Sequence, residues 1–110
     1  MLKHQTPQFE LDNCDREAIL LCPYCEHHYT HHKTVTVYSR PHEDGKVHRT
    51  RVQEDSSLQT GDIVDGRNPS SRRDGLSVGV WCEDCGHYAE LTIAQHKGQT
   101  LLAWRRVVLP

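Results

Sequence analysis

The sequence predicts a mainly β chain of antiparallel hairpins bent at two cysteine knuckles, and three observations carry that reading. Cys22-Pro23-Tyr24-Cys25 and Cys82-Glu83-Asp84-Cys85 each follow an apolar run, Ala18-Ile19-Leu20-Leu21 and Leu76-Ser77-Val78-Gly79-Val80-Trp81. β-Branched and aromatic residues alternate at strand period in Thr34-Val35-Thr36-Val37-Tyr38-Ser39. No stretch sustains a 3.6-residue apolar period over three turns, so helix is minor.

The elements follow in order. Residues 1–15, polar with Pro7, read as a loosely ordered arm. Ala18–Leu21 reads as a buried strand leading into the first knuckle. Thr34–Ser39 and Val47–Val52 pair as a hairpin about Pro41–Lys46, whose Asp44-Gly45 centre has turn chemistry. From Glu54 to Gly75 the composition shifts to Ser, Asp, Gly, Asn, Pro and Arg, which predicts a long polar loop. Leu76–Trp81 is a strand into the second knuckle. Tyr88–Gln95 and Thr100–Val107 form a last hairpin about His96-Lys97-Gly98-Gln99, with Thr92, Ile93 and Gly98 favouring strand over helix. The reading is one domain spanning 1–110, in which the 34–52 hairpin and the polar loop are an insertion between the knuckles.

Bulk composition narrows the class. With 110 residues, 35% hydrophobic and a single Phe and Met, the chain has little material for a core. Chains of this kind usually need a staple, either disulfides or a metal. Five cysteines are an odd number, and Met1–Thr6 holds no apolar signal core. No apolar run approaches the roughly 20 residues of a membrane span. A reducing, cytoplasmic setting is therefore expected, with the thiols used for metal. The formal net charge of −2 argues against a general polyanion binder.

Two tight Cys-x-x-Cys turns facing each other supply four thiolates, so Cys22, Cys25, Cys82 and Cys85 are the expected ligands of a closed, structural Zn²⁺ site. Cys-Pro-Tyr-Cys is also a glutaredoxin-type tetrapeptide, which makes a thiol–disulfide oxidoreductase acting through Cys22 and Cys25 the rival. That chemistry wants a helix after the motif, whereas Glu26–Val35 has no amphipathic helical stripe and no βαβ alternation follows. Cys14 has no sequence partner and reads as a free thiol. His27, His28, His31 and His32 cluster after Cys25, and His87 follows Cys85. A second metal site there is the alternative to half-exposed strand residues. Arg67, Arg72 and Arg73 mark the candidate partner-binding surface, since guanidinium forks suit phosphate or carboxylate. A solvated loop balanced by Asp62, Asp65 and Asp74 is the plain alternative. Trp81 and Trp104, at strand positions, read as core. With no G-x-S-x-G, H-E-x-x-H or phosphate-cradling glycine loop, the chain reads as a binding protein and not an enzyme.

With its knuckles placed, the chain resembles a four-cysteine zinc ribbon, with Gly86 at the turn position that follows many ribbon knuckles and Glu26 departing from that pattern at the first. Asn68–Gly75, Trp81–Cys85 and Ile93–Gly98 more loosely resemble small proteins of bacteriophages, prophages and plasmids. The resemblance implies Zn²⁺ and contact with a host or phage protein such as a polymerase or defence complex. A nucleic-acid-binding ribbon serving transcription or replication is the alternative it implies, and no membrane is involved.

Overall fold

Alternating β-branched residues keep the backbone extended, and among the described residues of this computed structural model (2–12, 16–63 and 66–107) the chain forms eight strands and no helix. β1 (Phe9–Leu11) pairs antiparallel with β2 (Ala18–Leu20). The remaining strands are β3 (Thr30–Ser39), β4 (Val47–Val52), β5 (Leu58–Ile63), β6 (Gly75–Cys82), β7 (Tyr88–His96) and β8 (Gln99–Arg106). They form one antiparallel sheet in the order β5-β4-β3-β6-β7-β8. The β3–β6 pairing joins the two meanders and brings Thr30 opposite Cys82, so the knuckles meet at one end of the sheet.

Register sorts the chemistry by face, because paired residues point the same way. One face carries the apolar rows Val52–Val35–Val78–Leu91–Trp104 and Val37–Leu76–Ile93–Leu102. Near the knuckles, Val80, Ala89 and Trp104 form the buried core, and Leu2, Leu20 and Tyr24 pack on it from the N-terminal segment. The other face carries Arg51–Thr36–Ser77–Thr92. Its three hydroxyl residues are buried; Arg51 Nε donates to Thr36 Oγ1 at 3.1 Å, and Thr92 Oγ1 donates to the Ala103 carbonyl.

The segment 66–74 packs on this polar face at the end away from the knuckles. Ser70 Oγ donates to the Gln95 carbonyl at 2.7 Å and accepts the Arg72 and Arg73 amides. A Cβ on Gly75 would lie 2.2 Å from Asn68 Oδ1 and 2.8 Å from the Pro69 ring, whereas one on Gly79 would meet nothing closer than 3.5 Å. Gly75→Ala is therefore expected to cost about 1–3 kcal/mol by overpacking. Gly79→Ala should change the urea midpoint little, and equal midpoints for the two variants would refute this packing.

Several expectations change. The polar segment 54–75 is not a continuous loop: β5 occupies Leu58–Ile63 and pairs along its length with β4. Residues 1–15 do not form a loose arm where described, since β1 is paired. The Lys3 and His4 amides donate to the Pro23 carbonyl, and the Trp104 amide donates to the Gln5 carbonyl at 2.7 Å. Ala18–Leu20 is half-exposed instead of buried, because only the short β1 pairs with it. β3 begins four residues earlier than expected and contains His31 and His32. Trp104 is core at 4% exposure, but Trp81 is only half-buried. Cys14, Val64 and Asp65 lie outside the described residues. No helix among the described residues is long and apolar enough to cross a membrane.

Candidate metal centre

Each knuckle is the same hydrogen-bonded turn. In the first, the Cys22 amide donates to the His27 carbonyl and the Glu26 amide donates to the Cys22 carbonyl, both at 2.9 Å. In the second, the Cys82 amide donates to the His87 carbonyl and the Gly86 amide donates to the Cys82 carbonyl. Both turns need a left-handed residue after the second cysteine, met by Glu26 at φ 67° and Gly86 at φ 72°. Glycine adopts that conformation without Cβ conflict, and a glutamate does not. Glu26 has a compensating role: its carboxylate lies 2.9 Å from His4 Nε2 and 3.7 Å from Lys3 Nζ, holding the N-terminal segment. The His4 contact first, then the Lys3 charge, hold the Glu26 carboxyl below its ordinary range. This contribution is fully present above the ordinary carboxylate pKa and fades as pH falls through the lowered one.

The four sulfurs lie within 4.8 Å of one another, with cross-knuckle contacts of 3.7 Å for Cys22–Cys85 and 3.5 Å for Cys25–Cys82. These are far beyond a disulfide bond of about 2 Å. They match the edge of about 3.8 Å expected for sulfurs 2.3 Å from the centre of a tetrahedron. Cys22 and Cys82 are buried, and Cys25 and Cys85 are half-buried. Burial pushes the Cys22, Cys25 and Cys85 thiols up, against backbone N–H donors such as Tyr24, whose amide donates to Cys22 Sγ at 3.4 Å. At Cys82 burial also acts upward, but the Cys85 and Asp84 amides and the neighbouring thiols outweigh it, and its pKa falls. Amide donors around clustered thiols favour the anionic form that a metal requires. The donor set therefore fits one four-coordinate metal ion.

No helix follows Cys25; the chain turns directly into β3, and the Cys22 and Cys25 sulfurs each face one from the opposite knuckle. His27 and His28 precede β3, stacked at 4.8 Å, and His28 meets Tyr29 edge-on at 4.4 Å. His87 packs on Tyr24 at 5.0 Å, while the Tyr24 hydroxyl donates to the Tyr88 carbonyl. Among the described residues, the four cysteines are the group whose ligand atoms converge with metal-site spacing.

Arg67 lies apart from Arg72 and Arg73, which line one cleft. Arg67 reaches Glu90 at 2.9 Å, and Arg105 Nε reaches the same carboxylate oxygen at 2.6 Å, a half-buried bridge for which the sequence offered only a lone glutamate in a strand. Arg73 donates to the Pro41 carbonyl and lies 3.7 Å from Glu43. Glu90 pairs with Gly79, whereas the Arg73 contacts lie beyond Gly75. Four residues of β6, about 13 Å, separate the two sites. Arg72 and Arg73 are both exposed and flank a cleft with Asp74, His96 and Lys97.

No protein-family model, curated protein or solved structure matches the chain.

Proposed function

We propose that Cys22, Cys25, Cys82 and Cys85 hold one Zn²⁺ and that the chain is a zinc-ribbon-like binding module, not an enzyme, whose partner is a protein. The observation that carries the metal reading is the sulfur spacing, 3.5 and 3.7 Å across the knuckles. An all-thiolate tetrahedral set suits zinc, and four protein ligands leave no position for a reactive water. Cys22, Cys25, Cys82 and Cys85 then have one task, to fix the two knuckles and with them the β3–β6 junction.

The protein partner is supported by the far end of the apolar face. Val37, Val52, Leu58 and Leu102 are exposed there, and the rows that hold them carry no charged side chain. Patches of this kind mark contact surfaces. Lack of charge in these rows favours an equally apolar partner surface over a polyanion, and the resemblance to phage and plasmid proteins makes a host protein complex the expected source. Native mass spectrometry of protein isolated without added metal tests both parts. One zinc per chain and a retained stoichiometric protein after nuclease treatment are expected. A folded chain without zinc would overturn the metal reading, and a bare monomer in mild salt would overturn the partner.

A further inference from the structure

The N-terminal segment covers the apolar face near the knuckles, and segment 66–74 covers the polar face at the opposite end. Through Arg67 that segment reaches the polar face as far as Glu90 in the Gly79 row. This leaves the row beyond it, next to the metal centre, to carry rings on three neighbouring strands. Register sets His31 of β3, Trp81 of β6 and Tyr88 of β7 in one row. Adjacent strands place such side chains about 4.8 Å apart on a common face. The His31 and Trp81 rings lie 5.7 Å apart, Tyr88 is 44% exposed, and Lys33 Nζ sits 5.6 Å over the Trp81 ring. In the next row inward, Gly79 presents no side chain.

Two acids of this region already have partners. Glu83 lies 3.3 Å from His31 Nε2, and Glu90 is bridged by Arg67 and Arg105. The second terminal nitrogen of Arg105 is buried with no hydrogen-bond partner. What the row offers is π-faces beside an ammonium, chemistry that suits unpaired bases on a phosphate backbone.

We infer that this row binds single-stranded nucleic acid, with bases stacked on Trp81 and Tyr88 and Lys33 swung from the Trp81 ring to a phosphate. A duplex hides its base faces, so a surface row of rings selects single strands. With an overall charge of −2, stacking supplies more of the affinity than charge does. One phosphate contact, from Lys33, implies a shallow salt slope of about −0.7 in log K against log salt.

The test is fluorescence anisotropy of the full chain with labelled oligo-dT, oligo-rU and a duplex of equal length at low salt. Saturable binding of either single strand is expected, with a duplex about tenfold weaker. Tyr88→Ala should weaken strand binding about tenfold or more through the lost stacking. Lys33→Ala should flatten the salt slope by about 0.7, whereas Lys46→Ala, in the β3–β4 turn, should leave affinity unchanged. Tyr88 is exposed and Lys33 half-buried, and thermal melts of each variant verify the fold. Absence of saturable strand binding, equal binding of the duplex, or affinity indifferent to both substitutions would overturn the inference. Metal content measured on the same samples separates this result from the zinc reading, since strand binding by a zinc-free protein would sink only the latter.

Discussion

Cys82→Ser is expected to unfold the chain at neutral pH, and chelation of the native protein should do the same. Cys82 is buried and its sulfur lies 3.5 Å from that of Cys25, so a hydroxyl there removes one ligand and leaves three thiols facing one another. Metal binding to a four-thiolate site contributes on the order of 10 kcal/mol of apparent folding free energy. That is comparable with the roughly 5–15 kcal/mol of total stability of an ordinary domain. The buried hydrophobic residues are few, and two of them are the cysteines Cys22 and Cys82 themselves. Circular dichroism with and without EDTA reads the outcome. A Cys82→Ser protein that keeps its sheet signal and thermal midpoint would show that the knuckles stand without metal. Cys14→Ser is the control, and the metal count should not change. Acidification should mimic chelation, because protons compete with the metal for thiolates.

Trp104→Ala is the second large effect, expected to cost roughly 3–5 kcal/mol as a large-to-small core substitution. Trp104 is 4% exposed and sits with Val80 and Ala89 under Leu2, Leu20 and Tyr24, so its indole is the surface on which the N-terminal segment lies. The Trp104 amide donation to the Gln5 carbonyl survives the substitution, but the packing that orders Gln5 does not. Hydrogen exchange should show the Lys3 and His4 amides losing protection before the β3–β6 amides do. A urea midpoint shift equivalent to less than 1 kcal/mol would place the main core elsewhere.

Much of this architecture is readable from residue types. Strands β3, β4, β7 and β8 follow from alternation, and the Lys97-Gly98 turn, with φ of 50° and 79°, takes the left-handed pair that suits a two-residue hairpin. The four cysteines follow from spacing alone, since each pair can close only a short turn. β5 is less legible because Gly61 and Asp62 lower its strand propensity and its hairpin turn uses Ser56, at φ 69°, where glycine is the usual signal. What holds β5 is pairing with β4 and His48, which contacts both Asp62 and Thr60. The N-terminal segment is tied through backbone carbonyls of Pro23 and Gln5, groups that composition does not distinguish. Arginine clustering in 67–73 shows charge but not direction: Glu90 and Pro41, distant in sequence, decide where Arg67 and Arg73 point.

The pairing of Thr30 with Cys82 bears on the order of folding events. The β3–β6 ladder joins segments separated by two whole strands and the 66–74 crossing, so its first contact must close a long loop of chain. That closure carries an entropic cost that local hairpins avoid, and long-range pairing is correspondingly slow. A metal ion captured by two preformed knuckles makes the closure once and leaves Thr30 beside Cys82, with His31 opposite Trp81 next in line. The ladder can then zip from the metal end toward Tyr38 and Gly75, one residue pair at a time, across the bulge between His32 and Val35. Under the proposed zinc reading the ion would act as a kinetic nucleus: zinc present during refolding should speed the appearance of the central ladder, and zinc added after the collapse should not.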